Sequence, residues 1–347
     1  MNTHSPMEMS VNTTIKRIAM GMVSAALIAT GTFAVAQEKV LRYGFNNQLD
    51  HPQGLGSQKF ADLVSNKSKG KIVVKLFAAG VLGGDLQSVS ALRTGTLDMT
   101  SLNAGMLNNI EKSFIIFDFP FLFGSSKEAD AIMDGPVGKK MLDKLPAQGL
   151  VGLGYFDNGF RNLTNSKRRV TKVDDIKGLK IRVLQNPIYI DMFNTLGATA
   201  TPMPFPEVFT ALEQKVIDGQ ENPARTIEAS KLNEVQKYMT LTQHTYNPMA
   251  LLISKKSWDK FTPDEQKILH EAAQEASVYQ RAISREENMK AIERMKKEGL
   301  VVDELSAQEV TLLRQKVKPV ADTYVKDVGD DLYQEFTAAI AKARGGK

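Results

Sequence analysis

The sequence predicts an α/β protein with two lobes and one long helix that spans both of them. Segments with the period of a strand alternate with segments that have the period of a helix, a pattern typical of βαβ units and a mostly parallel sheet. The chain has 347 residues, enough for two ordinary lobes even after a leader is removed. A helical pattern from Thr262 to Gly299 would be about 50 Å long at 1.5 Å per residue, which exceeds one lobe.

The first 36 residues have the three parts of a secretory signal peptide. Lys16 and Arg17 form a positive region, an apolar segment covers residues 18–33, and Ala34-Val35-Ala36 provides a cleavage site. A membrane anchor is the alternative, but the apolar segment is short and interrupted by serine, threonine and glycine. We therefore expect cleavage after about Ala36, no membrane anchor in the mature protein, and a periplasmic location.

The segments before residue 160 predict the elements of the first lobe. Strands are expected at residues 41–45, 71–77, 97–101 and 150–156. Helices with apolar residues at helical spacing lie between the first three of these strands. The apolar run at residues 114–123 is split by Pro120, and we expect it to fill the core rather than to contact a ligand.

The arginine-bearing lobe follows, and the chain then returns to the first lobe. Residues 240–253 have the pattern of a strand or strand pair that crosses back. The long helix does not keep a heptad of apolar residues, which argues against the alternative of a coiled coil. We assign residues 37–158 and about 248–287 to lobe I, and residues 159–247 and about 288–347 to lobe II.

The most informative segment of the second lobe is GLKIRV. Leu179, Ile181 and Val183 alternate with Lys180 and Arg182, the period-2 pattern of a short strand with one buried face. Arg182 then lies near the end of the strand, where ligands bind in open α/β sheets. A guanidinium matches a carboxylate in two parallel hydrogen bonds, and in a closed cleft it is costly without an anion. Arg182 is therefore predicted to hold an anion.

The segments around this strand favour the same interpretation. Asn186 and a following proline have the pattern of a helix start, and a second helix is expected at residues 206–219. The proline-rich loop TPMPF between the two helices can present Phe205 to a cleft. In QENP, Pro223 biases Asn222 toward an extended backbone, from which its amide can reach a polar ligand.

Several motifs in order resemble the extracytoplasmic solute receptors of TRAP (tripartite ATP-independent periplasmic) transporters, the DctP-like family. They are GKIVVKLFAAGVLGGD, LRTGTLDMT, GFRNLT, GLKIRV and LGATATPMPFPEVFTALEQKVIDGQENP. The resemblance covers about residues 41–332 and implies a two-lobed periplasmic-binding-protein-like fold with a cleft and a bridging helix. It also implies that Arg182 makes the main salt bridge to the substrate carboxylate, that Arg161 is a second contact, and that Asn222 and Phe205 line the pocket. One departure, FAAG at residues 77–80 where the family often has FPxG, affects a loop.

Further polar residues lie where predicted strands end or where the chain passes between the lobes, and each is a candidate for ligand contact. They are Asn46, Gln48, His51, Asp85, Asn103, Asp157, Asn158, His244 and Tyr246. Structural roles are the alternatives. For Arg161 the alternative is a salt bridge between the strands that join the lobes, and for Asp85 it is capping of a helix.

Composition and motifs exclude several other classes of protein. The absence of cysteine excludes disulfides, thiolate metal sites and cysteine nucleophiles. GxGxxG, GxxxxGK[ST] and GxSxG motifs are absent, and the histidines lack the spacing of a zinc site. The net charge of +5 is modest, and the basic runs are short and contain no aromatic residues, which argues against nucleic-acid binding. We expect no cofactor, no metal and no catalytic residue.

These observations predict a monomeric periplasmic receptor for a small organic acid anion, not an enzyme. A sugar acid such as a hexuronate is favoured over a C4-dicarboxylate, because several polar candidates could contact hydroxyl groups. The resemblance implies delivery of the ligand to the membrane permease subunits of a TRAP transporter. The alternatives are a receptor that presents the same ligand to a signalling partner and a secreted enzyme that acts on organic acids.

Overall fold

A computed structural model of the protein describes residues 38–345. The predicted signal peptide lies outside the described residues. The described chain forms one compact α/β unit with two sheets. None of its helices has the length and apolarity needed to cross a lipid bilayer.

Eleven strands and eleven α-helices occur between residues 38 and 345. The strands are β1 (Lys39–Gly44), β2 (Ile72–Phe77), β3 (Met99–Asn103), β4 (Leu150–Phe160), β5 (Asn162–Asn165), β6 (Lys180–Val183), β7 (Thr199–Pro202), β8 (Gly219–Asn222), β9 (Tyr238–Leu241), β10 (Tyr246–Ser254) and β11 (Val301–Glu304). The helices are α1 (Pro52–Lys67), α2 (Asp85–Thr94), α3 (Ser126–Met133), α4 (Pro136–Leu142), α5 (Pro187–Thr195), α6 (Val208–Glu213), α7 (Ala224–Ala229), α8 (Lys255–Trp258), α9 (Pro263–Lys297), α10 (Ala307–Val328) and α11 (Asp330–Gly345).

The two sheets are both mixed. The first has the order β2-β1-β3-β10-β4, and the second has the order β11-β9-β5-β8-β6-β7. In the first sheet β1, β2 and β3 are parallel while β10 is antiparallel to its neighbours; in the second, β5 is antiparallel to β8 and β9. The chain passes between the sheets at β4–β5 and again at β9–β10, so the residues at these two passages lie between the lobes.

Helix α9 connects the two lobes, as the sequence predicts. It has 35 residues and begins at a capping box, in which Thr262 Oγ1 accepts from the Glu265 N–H and the Glu265 carboxylate accepts from the Thr262 N–H. Its first part packs on α1 and β4 of the first lobe, and its last part packs on α7 and β11 of the second. The long helical pattern is therefore confirmed.

The hydrophobic core of residues 38–345 consists of three clusters. One lies between the first sheet, α1 and the first part of α9, a second packs below the second sheet against α6, α7 and the end of α9, and the largest joins α5, α10 and α11 to the segment 114–123. The prediction that this apolar segment fills the core is confirmed, because Phe114, Ile116 and Phe117 are fully buried. The same segment carries the buried carboxylate of Asp118, which accepts from Asn103, Asn186 and Tyr189.

Two expected elements are shorter or divided. The helix expected at residues 206–219 extends only over Val208–Glu213, and Lys215 then has a φ of 58°, which ends the helix before β8 begins. Residues 240–253 form a strand pair: β9 belongs to the second sheet and β10 to the first. The strand predicted from GLKIRV is β6, with Ile181 and Val183 fully buried.

Candidate functional site

A cleft between the two sheets contains about 440 Å³ of atom-free space, including the part open to solvent. Both lobes and both passages between them contribute side chains. The lining residues are Asn46, Asn47, Gln53, Asp85, Ser101, Leu102, Asn103, Asn158, Arg161, Arg182, Leu184, Phe205, Asn222, Thr226, Asn247 and Met249. Amides, hydroxyls and charged groups dominate this set, so the cleft suits a polar ligand.

Arg182 is buried in this cleft, and no carboxylate of residues 38–345 forms an ion pair with it. It lies in β6, beside Gln220 of β8, and only 3% of its surface is exposed. Its Nε and Nη2 donate to the Met203 carbonyl at 2.9 and 2.6 Å, and the ring of Phe205 lies 5.8 Å from the guanidinium. Its Nη1 makes no hydrogen bond within residues 38–345. Burial lowers the pKa of Arg182 to about 10, so the side chain is charged at neutral pH and available to an anion.

Arg161 also lines the cleft, but its charge is paired. Its Nε and Nη2 donate to the two carboxylate oxygens of Glu221, the Nη2–Oε1 distance being 2.8 Å, and its Nη1 donates to Asn247 Oδ1 at 2.8 Å. Although burial disfavours both charges, the Arg161 guanidinium holds the pKa of Glu221 below its usual value, and Glu221 raises the pKa of Arg161. Glu221 therefore gives Arg161 the structural salt bridge that the sequence left open as the alternative.

Asn222 and Phe205 both lie on the cleft, on the side of the second sheet. Asn222 Nδ2 donates to Gln220 Oε1 at 2.5 Å, and Gln220 is itself fixed because its Nε2 donates to Thr164 Oγ1 at 2.8 Å. One amide hydrogen and the Oδ1 of Asn222 remain for a ligand. Phe205 begins a single 3₁₀ turn before α6 and covers the guanidinium of Arg182.

On the side of the first sheet, Asn46 and Asp85 form a pair. Asn46 Nδ2 donates to Asp85 Oδ1 at 2.6 Å. Asp85 is the first residue of α2 and the capping position is Gly84, so the alternative role of Asp85 as the helix cap is wrong. Burial raises the pKa of Asp85 to about 6, although the nearby Arg182 opposes this shift.

Asn103 and Asn158 line the cleft, and the amide group of each already hydrogen-bonds within the protein. Asn103 Nδ2 donates to Asp118 at 3.0 Å, and its Oδ1 accepts from the Gly105 N–H at 3.2 Å. Asn158 Oδ1 accepts from Thr226 Oγ1 at 3.2 Å, while its Nδ2 has no partner in the described part of the chain. Asn158 is therefore the better placed of the two to donate to a ligand.

Five predicted candidates lie outside the cleft lining: Gln48, His51, Asp157, His244 and Tyr246. Gln48 is exposed at the cleft mouth. His51 caps α1, accepting from the Gln53 N–H at 3.0 Å, and its Nε2 lies 3.2 Å from Thr226 Oγ1. Burial leaves His51 with a pKa of about 3.

The other three of these candidates have structural partners. Asp157 pairs with Arg285 at 3.0 Å. His244 lies 3.1 Å from the Glu221 carboxylate, and Tyr246 packs edge-on against Phe160. These three side chains lie where the chain passes between the lobes. Their positions near strand ends made them candidates for ligand contact, but their side chains contact other parts of the protein.

Sequence reasoning missed Glu221, which pairs with Arg161, and half of the cleft lining: Asn47, Gln53, Ser101, Leu102, Leu184, Thr226, Asn247 and Met249. Glu221 lies beside Asn222 in QENP, and its partner Arg161 is 60 residues away, so the pair is visible only after folding. Asn247 is buried in the lining, and its Nδ2 has no partner within the described residues. A buried unpaired amide is costly, so Asn247 is placed to donate to a bound ligand. A polar residue before Pro248 in the returning strand was the available signal.

The cleft can bind and orient an anion. Residues 38–345 contain no group of three or more histidine, aspartate or glutamate side chains placed to hold a metal ion. Within the described residues, the lining offers one guanidinium without a carboxylate partner and several amides, which are donors suited to a carboxylate.

The comparisons with known proteins agree with this geometry. The family model for bacterial extracellular solute-binding proteins, family 7 (DctP), matches residues 43–327. The 2,3-diketo-L-gulonate-binding periplasmic protein of Escherichia coli K12 is 36% identical over 326 residues, which is 92% of this chain and 97% of the relative. The C4-dicarboxylate-binding periplasmic protein DctP of Rhodobacter capsulatus is 31% identical over 331 residues, 94% of this chain and 99% of the relative.

A solved structure shows the same fold. It is the sugar acid binding protein DctPAm from Advenella mimigardefordensis strain DPN7T in complex with galactonate, which is 43% identical, covers 88% of this chain and 99% of its own, and has a TM-score of 0.86. The chain described above, with its two lobes, bridging helix and polar cleft, therefore belongs to the DctP family of bacterial extracellular solute-binding proteins, the solute receptors of TRAP transporters.

Proposed function

We propose that this protein captures a sugar acid anion outside the cytoplasmic membrane and delivers it to the permease of a TRAP transporter. The observation that carries the proposal is Arg182, a buried cation in the cleft without a carboxylate partner among the described residues. A carboxylate of the ligand would pair with Arg182 in a charge-assisted hydrogen bond, which contributes about 1.5–3 kcal/mol. Asn158, Asn222 and Asn247 would complete the donor set.

The rest of the lining supports a ligand with several hydroxyl groups. Asn46, Asn47, Gln53 and Ser101 bring amides and a hydroxyl from the first lobe, and each can donate to or accept from a sugar hydroxyl. Of the three relatives described above, one was solved in complex with galactonate, and the other two are named for binding 2,3-diketo-L-gulonate and C4-dicarboxylates. A sugar acid uses more of this polar lining than a C4-dicarboxylate can reach.

Ligand binding would favour the closed arrangement of the lobes. Arg182 and Asn222 belong to the second sheet, whereas Asn46 and Asp85 belong to the first lobe. A ligand that contacts both sides binds the closed state better than the open one. Direct contacts between the sides already exist at the mouth, where Asp50 pairs with Arg225 at 2.9 Å.

Export would precede ligand capture. The signal peptide would be removed after about Ala36, and the mature monomer would act in the periplasm. The lobe boundaries near residues 158, 247 and 287 would follow the passages between the sheets. Arg182 would make the main contact to the carboxylate, with Arg161 held beside it by Glu221.

Isothermal titration calorimetry tests the proposal on the chain from Gln37 to the end. D-galactonate, D-galacturonate and succinate are titrated, with D-galactose as the uncharged control. We expect the sugar acids to bind with micromolar or tighter affinity, about −8 kcal/mol, and D-galactose to show no binding. Binding of D-galactose as tight as that of D-galactonate, or no binding of any organic acid, would reject the proposed function.

A further inference from the structure

Asp85 is the one carboxylate in the cleft lining of the described chain. It is half-buried at the start of α2. Its Oδ1 accepts from Asn46 Nδ2 at 2.6 Å, and its Oδ2 makes no hydrogen bond or ion pair within residues 38–345. The Asp85 carboxylate therefore has a free acceptor oxygen in the pocket.

Among residues 38–345, the charged side chains of the cleft lining are Arg161, Arg182 and Asp85. Glu221 neutralises Arg161 through direct hydrogen bonds to both carboxylate oxygens. Arg182 and Asp85 then remain as one cation and one anion without an ion-pair partner among the described side chains. A ligand with a single carboxylate can pair with Arg182. A second carboxylate would find no further unpaired cation in the lining that residues 38–345 form, and it would lie in the same small cleft as Asp85, where solvent screens the repulsion poorly.

The backbone around Asp85 is held by contacts across the cleft mouth. Gly84 N–H donates to Gln87 Oε1 at 2.8 Å, which closes the first turn of α2. A Cβ on Gly80 would lie 2.6 Å from Pro206 Cγ, and one on Gly84 would lie 3.3 Å from Pro204 Cβ. The loop that carries Asp85 thus touches the loop that carries Phe205, so the carboxylate stays inside the closed pocket with a ligand.

We propose that Asp85 makes the cleft selective for monocarboxylates, an inference that rests on the proposed function and refines it. Asp85 Oδ2 accepts a hydrogen bond from a hydroxyl group of the ligand, and the Asp85 charge rejects ligands that carry a second carboxylate. Aldonates and uronates are the class that fits. Aldarates and C4-dicarboxylates are excluded by charge, although a hexarate has the same chain length as a hexonate.

The test uses two ligands that differ at one carbon. D-galactonate and galactarate share a six-carbon chain, and galactarate has a carboxylate where D-galactonate has a primary alcohol. Calorimetry at pH 7.5 should show that the wild-type protein binds D-galactonate at least about 100-fold more tightly than galactarate. In Asp85→Asn this ratio should fall below about tenfold, mainly because galactarate binds more tightly. Asp85→Ser should lower the affinity ratio of the two ligands in the same way. It replaces Asp85→Asn in the test if that variant folds poorly.

Asp62→Asn is the matched control. Asp62 is an exposed aspartate on α1, outside the cleft, that accepts from Gln58, so its neutralisation should leave the ratio within twofold of wild type. Equal affinities for the two ligands in the wild type, or an unchanged ratio in both Asp85 variants, would overturn the role of Asp85 and leave the proposed function standing. A wild-type protein that binds neither ligand and no other organic acid would reject the proposed function, and this inference with it.

Discussion

The buried pair of Arg161 and Glu221 gives the sharpest prediction about stability. Substituting Glu221→Gln removes the carboxylate charge and leaves a guanidinium that is 1% exposed without its counter-charge. Removing one partner of a buried ion pair costs about 3–5 kcal/mol. For roughly 300 folded residues, an unfolding entropy of about 2.1 cal/mol/K per residue gives about 0.65 kcal/mol/K. The melting temperature should therefore fall by about 5–8 °C.

Differential scanning calorimetry of the ligand-free protein measures this shift. Glu335→Gln is the control, because Glu335 pairs with Lys140 at 2.7 Å on the exposed surface, where an ion pair contributes little. The double variant Arg161→Met/Glu221→Gln should regain part of the loss, since it removes both charges. A Glu221→Gln protein that melts within 1 °C of the wild type would refute the assignment of Glu221 as the counter-charge of Arg161.

Two further predictions concern pH and closure. The pKa of His51 is about 3 in the folded protein against an ordinary value of 6.5, so only the unfolded chain takes up this proton between those pH values. The contribution of His51 to stability should therefore fall by about 2 kcal/mol between pH 7 and pH 5. Urea unfolding should show a shallower pH dependence in His51→Gln, and equal slopes would contradict the burial of a neutral imidazole. Gly80→Ala should weaken D-galactonate binding about tenfold, because a Cβ there would meet Pro206 across the cleft mouth. Gly178→Ala is the matched control, since Gly178 has a similar positive φ and open space around it; equal binding losses in both variants would attribute the effect to backbone strain alone.

Local patterns were sufficient for the elements that repeat a simple period. The alternation in GLKIRV places Arg182 on β6, and the sequence Thr262-Pro263-Asp264-Glu265 starts α9 with its capping box. Both depend on residues close together in the chain, so no tertiary information is needed.

Contacts between residues that are distant in the chain could not be predicted from the sequence. Arg161 resembles Arg182 as a cleft arginine, and only the folded chain shows that Glu221 pairs with Arg161, whereas no carboxylate of the described residues pairs with Arg182. His51 and His244 lie near predicted strand ends, where a ligand could contact them. In the folded chain both are buried, and their ring nitrogens lie beside Thr226 and Glu221 instead. These pairings depend on which side chains come into contact in the folded protein. The periodicity of hydrophobic residues along the sequence does not show which side chains these are.

The most direct test of the proposed binding mode is the affinity of Arg182→Met for D-galactonate. Methionine keeps much of the buried volume and removes the charge, and Arg182 has no carboxylate partner in the described chain that would be left behind. Calorimetry should detect no binding by this variant, while the ligand-free protein melts within a few degrees of wild type and Arg168→Met, at an exposed site, binds normally. Wild-type affinity in Arg182→Met would contradict the assignment of Arg182 as the residue that holds the ligand carboxylate.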